Sequence, residues 1–522
     1  MKWNSVRIET WRDIMEWNAQ LYPDKVAFCE VATGRKWTFR EHNEVVNRLC
    51  NALYGLGLKK QDRAAVLAGD LIEYCQIAMI CKAGLVYVPV NWRLTAPEAA
   101  YIINQSGAKV LFVDAEHADV ARSIKKDIPE VKHIICINGS PSDMINYYDF
   151  IGSASPGDPG VDVVETDILG LVYTSGTSAL PKGTVQSHKK AIAIGRLQAR
   201  EPAYRHDDSF LGVLPLFHVA MLNLQFSKYG IGITQYIMRF DTIAVMETIQ
   251  KYKITTFQAV PTMIINMTEH PDRPKYDLSS LRVLVYVGSA MPAEAAKRAW
   301  KAFGPVLYQI YGATEGGGTI LKAEDHAKAL SDPAREHILK AAGRPFLGSK
   351  VKIVDDNDNE VPAGAMGEIC VHENTTVEQY WKKPEETAET FKNGWYHTGD
   401  MGKVDEEGYI YILDRKKDII VTGGENVSSR DVENVILTHP AVLECAVIGV
   451  PSEKWGEEVR ALVVPRRGMT ITPEEVIDYC KDKLAGYKRP RSAEVWKELP
   501  KNPSGKILKK DIRAMYRAKK QE

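Results

Sequence analysis

A run of hydroxyl and small residues between Tyr173 and Gly183 has the composition of a phosphate-binding loop. Hydroxyls and backbone N–H groups beside a glycine form an anion-binding concavity, and glycine lets the backbone approach a ligand closely. The run is not a Walker A loop, because Pro181 precedes Lys182 and Gly183 follows it. Taken alone, the same composition also fits an ordinary Ser/Thr-rich surface loop.

The elements that would carry this loop alternate in type along the first part of the chain. Short apolar runs separated by helical patterns predict buried strands at 64–68, 86–90, 110–113, 134–137, 168–173, 283–287 and 306–310. Such alternation predicts parallel sheets with helices on both faces. Ligands of these sheets bind beyond the carboxyl ends of the strands, which is where the loop after Val172 would lie.

The pattern changes near residue 350, where short alternating strands and tight turns predict an antiparallel, β-barrel-like segment. Asp414–Asp418 is a dense charge run that fits either a solvated turn or a linker between two rigid bodies. The patterns beyond it predict a small α+β unit. The predicted fold class is therefore α/β, with a large N-terminal domain of parallel sheets at 1–413 and a small C-terminal domain at 414–522.

Composition excludes several classes of function. The 522 residues, 45% of them apolar, exceed one typical core and predict more than one domain. Lys+Arg and Asp+Glu are both 67, and this balance argues against a nucleic-acid partner. The eight cysteines are scattered and predict reduced thiols. Without a signal peptide or an apolar stretch of spanning length, we expect a cytoplasmic protein with no integral membrane segment.

Other segments accompany the first loop in a fixed order along the chain. They are Tyr311-Gly312-Ala313-Thr314-Glu315, Trp395-Tyr396-His397-Thr398-Gly399-Asp400, Leu413-Asp414-Arg415-Lys416-Lys417-Asp418, Gly423-Gly424-Glu425-Asn426-Val427 and Asn502-Pro503-Ser504-Gly505-Lys506-Ile507. Together they resemble the adenylate-forming superfamily, which comprises acyl- and aryl-CoA synthetases, peptide-synthetase adenylation domains and luciferases. The likeness covers about Trp11 to Arg517. One departure is Ser178-Ala179, where the family usually has Thr-Gly, and alanine restricts any position that needs a positive φ.

The resemblance implies an AMP-forming carboxylate–CoA ligase that uses ATP, Mg²⁺ and coenzyme A. A small-molecule carboxylate attacks the α-phosphorus of ATP and expels pyrophosphate, and the coenzyme A thiol then attacks the acyl-adenylate. AMP is a good leaving group where hydroxide is a poor one, so catalysis would rest on positioning and charge stabilisation. Two alternatives are an acyl-AMP ligase that loads a carrier protein and a non-catalytic nucleotide-binding relative. A second copy of the chain is a further candidate partner, because homodimers are common among relatives.

The resemblance also implies roles for residues of the large domain. The β- and γ-phosphates would contact Thr174, Ser175, Gly176, Thr177, Ser178 and Lys182. Thr314 would contact the α-phosphate and Glu315 would hold Mg²⁺, since that ion prefers hard oxygen ligands. The adenine slot would consist of Gly288, Ser289, Ala290, Gln309, Ile310, Tyr311, Gly312 and Ala313. Asp400 would accept from the ribose hydroxyls, with Arg415 as a nearby donor.

In the C-terminal unit, the resemblance implies that Lys506 bridges the attacking carboxylate and the α-phosphate. This unit would be mobile and would pivot at Asp414 between the two half-reactions. Gly423 and Gly424 would then line the path of the pantetheine arm, with Tyr487 and Lys488 near the nucleotide of coenzyme A.

The acyl pocket is predicted from Leu214-Pro215-Leu216-Phe217-His218, with His218 at its mouth. Peptide-synthetase domains usually place an aspartate where His218 stands, so an amino acid substrate would leave its ammonium group buried without a partner. Further lining residues are predicted to be Met221, Asn223, Val260, Pro261, Gly312 and Gly316. Medium-chain aliphatic, aryl and alicyclic acids all fit this prediction.

Overall fold

The computed structural model describes residues 8–174, 180–452, 454–501 and 507–518. Residues 1–351 and 371–396 form one compact unit, and residues 352–370 and 397–522 form a second. The predicted boundary between residues 413 and 414 stays a prediction.

The strands up to residue 345 are β1 (Val26–Glu30), β2 (Lys36–Thr38), β3 (Arg63–Leu67), β4 (Val86–Pro89), β5 (Ala108–Val113), β6 (His133–Cys136), β7 (Ile145–Asn146), β8 (Ile168–Thr174), β9 (Lys182–Ser187), β10 (Ser209–Gly212), β11 (Thr234–Ile237), β12 (Thr256–Ala259), β13 (Val283–Val287), β14 (Leu307–Tyr311), β15 (Thr319–Leu321) and β16 (Arg344–Pro345). The later strands are β17 (Lys350–Val354), β18 (Gly367–His372), β19 (Phe391–Lys392), β20 (Trp395–Val404), β21 (Ile410–Arg415), β22 (Ile420–Thr422), β23 (Glu425–Val427), β24 (Val442–Ser452), β25 (Gly456–Pro465) and β26 (Ser492–Val495).

The helices of the first unit are α1 (Trp11–Leu21), α2 (Phe39–Gly55), α3 (Ile72–Ala78), α4 (Ala96–Ser106), α5 (Ala118–Ile124), α6 (Tyr147–Gly152), α7 (His188–Arg200), α8 (Val219–Gly230), α9 (Thr242–Tyr252), α10 (Pro261–Glu269), α11 (Ala293–Phe303), α12 (Ala323–Ser331) and α13 (Pro384–Thr390). Those of the second are α14 (Ser429–Ile436), α15 (Pro473–Tyr479) and α16 (Lys509–Ala518). Short 3₁₀ turns lie at Met79–Ala83, Ala115–His117, Arg273–Lys275, Pro333–Lys340, Lys416–Asp418 and Gly486–Lys488.

Two mainly parallel sheets build the first unit. One has seven strands in the order β7-β6-β5-β3-β4-β8-β9, and the other has nine in the order β16-β15-β14-β13-β12-β10-β11-β1-β2. In the first, β9 closes the edge as an antiparallel partner of β8. In the second, β10 to β14 pair in parallel, so their carboxyl ends share one edge of the sheet. This arrangement confirms the predicted α/β class with parallel sheets.

Strands β17 to β21 are antiparallel where their pairing is described, as in the β20–β21 hairpin. The chain passes from one unit to the other within β17, β18 and β20. The second unit has its own sheet, in the order β23-β22-β25-β24 with β26 beside β25. Its core is apolar and separate, with Val427, Val432, Val447 and Val459 fully buried.

The cysteines and the helices give two further observations. All eight cysteines are buried and none forms a disulfide, as their scattered positions predict. Within the described ranges, no helix combines the length and apolarity needed to cross a bilayer.

Candidate active site

Glu315 follows β14 and is held from two directions. Its Oε1 accepts a hydrogen bond from the Tyr380 hydroxyl at 2.8 Å. Its backbone carbonyl accepts from the Val377 N–H at 2.6 Å. The residue is only 9% exposed. No described lysine or arginine forms an ion pair with Glu315, so a neutral hydroxyl is the direct partner of this buried carboxylate.

Lys190 holds the backbone of Thr314, the residue before Glu315. The Lys190 ammonium nitrogen, at the first turn of α7, donates to the Thr314 carbonyl at 3.1 Å. Burial lowers the pKa of Lys190 to about 7, although the charges of Glu315 and Glu373 act in the opposite direction. Sequence reasoning missed this residue, because Lys189-Lys190 looks like a pair of solvated charges and only the tertiary fold buries the second.

The last residue of β8 and the first residue of β9 carry the described part of the phosphate loop. Thr174 and Lys182 are paired across the two antiparallel strands. The Thr174 hydroxyl is buried and has no hydrogen-bond partner among the described residues. The Lys182 ammonium lies 4.5 Å from the centroid of the Tyr380 ring. An unpaired buried hydroxyl is costly unless a ligand satisfies it, so this strand end suits an acceptor such as a phosphate oxygen.

The predicted adenine slot lies at the carboxyl ends of β13 and β14. Gly288 follows β13 with φ +88°, and Ser289 and Ala290 after it are exposed. On β14, Gln309 is buried while Ile310 and Tyr311 are half-buried. These residues lie on adjacent parallel strands, since Tyr286 pairs with Gln309 and Val287 with Ile310. The structure therefore brings both halves of the predicted slot together.

Tight backbone packing after β14 explains why glycine occupies positions 312 and 316. A side chain at Gly312 would meet the Gly317 carbonyl oxygen at 2.6 Å, and one at Gly316 would meet the Thr376 backbone at 2.7 Å. Ala313 donates its N–H to the Gly316 carbonyl at 2.8 Å, which closes a tight turn. The atoms nearest to the two positions are backbone atoms of Gly317 and Thr376, and the acyl-pocket role of both glycines stays a prediction.

His218 is the N-cap of α8, and its Nδ1 accepts the Ala220 N–H at 3.2 Å. Solvent reaches the ring, yet crowding by protein atoms lowers the pKa of His218 below its ordinary value. A neutral imidazole whose Nδ1 accepts a hydrogen bond carries its proton on Nε2.

The other predicted lining residues surround the carboxyl ends of β10 and β12. Met221 is fully buried, and its methyl group fills the space left by the missing side chain of Gly212. Val260 is the N-cap of α10, and its Cγ1 lies 3.8 Å from the position that a Gly288 side chain would take. A predicted residue of the acyl pocket therefore lies next to a predicted residue of the adenine slot. Pro261 is buried at the first position of α10, and Asn223 is half-buried on α8.

In the second unit, Asp400 and Arg415 form an ion pair. They are register partners on β20 and β21, with Arg415 Nε 2.8 Å from Asp400 Oδ1. Asp400 is 6% exposed. Its charge is thus compensated by a guanidinium, and the pair presents an acceptor and donors side by side.

Asp414, the predicted hinge, caps a helix. Its Oδ2 accepts from the Ser429 hydroxyl at 2.6 Å and from the Arg430 N–H at 3.2 Å, at the first turn of α14. The residue is 6% exposed. Asp414 itself is not solvated, because its carboxylate satisfies donors at the helix N-terminus, whereas Lys416 and Lys417 of the same charge run are exposed in a 3₁₀ turn.

Gly423 and Gly424 form the two-residue turn of the β22–β23 hairpin. Both have positive φ, +61° and +86°. Two-residue hairpin turns of this kind favour glycine because the central residues need left-handed backbone. A side chain at Gly424 would meet nothing within 4 Å.

Nearby in the second unit, Lys488 pairs with Asp431 at 2.8 Å, which raises the pKa of Lys488, and Tyr487 is 41% exposed. Ser175, Gly176, Thr177, Ser178, Ala179 and Lys506 lie outside the described residues.

Comparison with known proteins decides the family. A family model described as AMP-binding enzyme matches residues 15–381, and one described as AMP-binding enzyme C-terminal domain matches residues 431–506. The chain belongs to the AMP-binding enzyme family. This confirms the resemblance to adenylate-forming enzymes.

Relatives and solved structures match this AMP-binding enzyme over almost their whole length. It is 35% identical to a fatty acid–acyl-carrier-protein ligase of Streptomyces coeruleorubidus, covering 98% of this chain and 97% of the relative. It is 34% identical to a long-chain-fatty-acid–CoA ligase of Mycobacterium tuberculosis, with 96% and 97% covered. A solved anthranilate CoA ligase in complex with anthranoyl-AMP superposes with TM-score 0.86 at 29% identity, covering 97% of both chains. The protein is an enzyme of the AMP-forming acyl-CoA ligase class.

The residues of the AMP-binding enzyme fit a magnesium ion held mainly by its nucleotide. No group of three His, Cys, Asp or Glu side chains converges on a metal position in the part of the chain that the structure describes. Among the described residues, the hydrogen bond to the Glu315 carboxylate is made at Oε1, and Oε2 is left for a ligand. Magnesium commonly binds through one or two carboxylates together with phosphate oxygens and water, and Glu315 suits that mode.

Proposed function

We propose that this enzyme converts a medium-chain, aryl or alicyclic carboxylic acid into its coenzyme A thioester by way of an acyl-adenylate. The observation that carries the proposal is Glu315, a buried carboxylate that no lysine or arginine of the described residues pairs with, and that shares Tyr380 with the phosphate-loop lysine Lys182. A cation-binding group and an anion-binding group around one side chain suit a metal–triphosphate substrate.

In the first half-reaction, the substrate carboxylate oxygen bonds to the α-phosphorus and the bond to pyrophosphate breaks. Lys182 and the Thr174 hydroxyl bind phosphate oxygens, and Thr314, with its carbonyl held by Lys190, contacts the α-phosphate. Magnesium, when bound, neutralises phosphate charge. Lys506 neutralises the charge that develops between carboxylate and phosphate, and the Asp400–Arg415 pair binds the ribose hydroxyls.

In the second half-reaction, the thiolate sulfur of coenzyme A attacks the acyl carbon and AMP leaves with the bridging oxygen. His218 presents Nε2–H at the mouth of the acyl pocket, and Gly423 and Gly424 leave room for the pantetheine arm. The pivot at Asp414, the cytoplasmic location and a homodimer stay predictions.

A second candidate function is transfer of the acyl group to a carrier-protein thiol. It is favoured by the 35% identity to a fatty acid–acyl-carrier-protein ligase. The two candidates share the adenylation step and differ only in the thiol that accepts the acyl group.

The experiment is a pyrophosphate-release screen over short, medium, long, aryl and alicyclic acids, with and without coenzyme A. We expect acid-dependent pyrophosphate and, with coenzyme A, equal amounts of acyl-CoA and AMP. Acid-dependent pyrophosphate with transfer only to a phosphopantetheinyl carrier protein would favour the second candidate. Pyrophosphate release that no acid stimulates would contradict both.

The role of Lys506 has its own test. Replacing Lys506 with Ala should slow adenylation by roughly 10²–10³-fold, because a charge that stabilises the transition state is lost. Thioester formation from a supplied acyl-adenylate should change far less. Lys510→Ala, at an exposed lysine of α16, serves as the control. Equal losses in both half-reactions would contradict the assignment.

A further inference from the structure

Tyr380 lies beside the strand that begins with Lys182. The Val185 N–H donates to the Gln379 carbonyl at 3.2 Å, and the Trp381 N–H donates to the Gly183 carbonyl at 2.7 Å. A bridge pairs Tyr380 with Thr184 in antiparallel orientation. Residues 379–381 therefore extend the pairing of β9, and the backbone of Tyr380 is fixed relative to the start of that strand.

The side chain of Tyr380 contacts two charged groups, one through its hydroxyl and one through its ring. Its hydroxyl donates to Glu315 Oε1 at 2.8 Å, and its ring centroid lies 4.5 Å from the Lys182 ammonium. The residue is 4% exposed. The hydroxyl has a single proton and donates it to Glu315, so this hydrogen bond holds one oxygen of the carboxylate in place. The electron-rich face of the ring attracts the ammonium group of Lys182.

Two observations make this contact a stable one. The hydroxyl lies within hydrogen-bond distance of Glu315 Oε1 and is protonated at physiological pH, because a phenol has an ordinary pKa of about 10. The carbonyl of Glu315 is held by Val377, three residues before Tyr380 on the same segment. The segment thus holds both the backbone and the carboxylate of Glu315.

We propose that Tyr380 is a positioning residue that holds Glu315 and Lys182 at a fixed separation, so that a magnesium–nucleotide complex meets both in one geometry. The hydroxyl holds Oε1 of Glu315 so that Oε2 is available to the ligand, and the ring holds the ammonium group of Lys182 in position. This inference rests on the proposed function for its ligand, a nucleoside triphosphate with its divalent cation. It adds a residue outside the sequence motifs of the site.

The experiment compares Tyr380→Phe with Tyr147→Phe by calorimetric titration of ATP, with and without Mg²⁺. Tyr147 is a matched control, because it is fully buried and donates its hydroxyl to Gln76 at 2.7 Å. Thermal unfolding of both variants records the common cost of losing one buried hydrogen bond. Tyr380→Leu, which also removes the ring, separates the Lys182 contact from the Glu315 contact.

We expect Tyr380→Phe to weaken ATP binding in Mg²⁺ by roughly 10- to 100-fold, the usual effect of losing a partner that orients a metal ligand. Its binding without Mg²⁺ should match the wild type, and Tyr380→Leu should weaken both. Tyr147→Phe should change neither. Tyr380→Phe with wild-type affinity in Mg²⁺, or equal losses with and without the ion, would overturn the inference.

Because binding is the measurement, these outcomes do not depend on turnover. A wild-type protein that binds magnesium–ATP but activates no acid would contradict the proposed function and leave the Tyr380 comparison decisive. A wild-type protein that shows no magnesium-dependent binding of ATP would overturn the inference itself.

Discussion

Glu315 and Asp400 are both buried carboxylates, but they have different partners. Glu315 accepts from the neutral hydroxyl of Tyr380, and no described cationic side chain pairs with it directly. Asp400 is paired with the Arg415 guanidinium at 2.8 Å. A compensated carboxylate suits uncharged hydroxyl donors such as those of a ribose, whereas an uncompensated one favours a cation. The partner of each carboxylate thus indicates the class of ligand it takes.

Removing the charge of Glu315 should have the largest effect. Glu315→Gln keeps the shape and an acceptor for Tyr380 but loses the anionic ligand, and we expect adenylation to fall by roughly 10²–10³-fold, since a metal supplies several kcal/mol of charge stabilisation. Initial rates of pyrophosphate release across a Mg²⁺ series measure it.

Glu373→Gln provides the control for this prediction. Glu373 also acts on Lys190 electrostatically, but it accepts the Gly317 N–H at 2.9 Å and the hydroxyls of Ser349 and Thr375. We expect its loss to change the Mg²⁺ requirement little. Equal effects of the two variants would mean that general charge near Lys190, rather than one ligand, is what matters.

Asp400→Asn should have an intermediate effect of a different kind. It leaves Arg415 without its ion-pair partner and weakens acceptance from the ribose, so the KM for ATP should rise roughly tenfold to a hundredfold, the range for hydrogen bonds to charged groups. The Mg²⁺ concentration for half-maximal rate should stay unchanged. A shift in that concentration comparable to the one caused by Glu315→Gln would remove the distinction between the two carboxylates.

Ser429→Ala should have the smallest effect on ATP chemistry and extends the comparison to a third carboxylate. The donors to Asp414 belong to the protein itself, and Ser429 is one of them at 2.6 Å. Losing it should cost about 1 kcal/mol of stability, as for other helix-cap contacts, with adenylation unchanged. Thermal unfolding and pyrophosphate release measure the two parts. A loss of adenylation beyond about tenfold would show that this contact does more than cap α14.

Local pattern predicted much of the architecture. The strand expected at 283–287 is β13, and the other expected strands are displaced by a residue or two. Apolar runs of this kind report burial directly, because a strand buried on both faces has a continuous apolar sequence. The motifs ending in Thr314-Glu315 and in Asp400 were likewise readable, since spacing along the chain carries them.

Contacts between distant segments were not predictable in this way. Tyr380 and Glu315 are 65 residues apart, and Lys190 and Thr314 are 124 apart. A tyrosine before a tryptophan predicts packing, and a lysine after a lysine predicts solvation, until the fold supplies a partner. Asp414 illustrates the same point within one charge run, because its burial depends on the start of α14.

The central claim, that an acid is activated by bonding to the α-phosphorus of ATP, is tested most directly by isotope transfer. The screen identifies an acid that is turned over, and that acid is then supplied with both carboxylate oxygens labelled with ¹⁸O, together with ATP, Mg²⁺ and coenzyme A. Mass spectrometry of the AMP should find one labelled oxygen per molecule, because the bridging oxygen leaves with AMP when the thiol attacks. AMP without label, while acyl-CoA accumulates, would contradict the account.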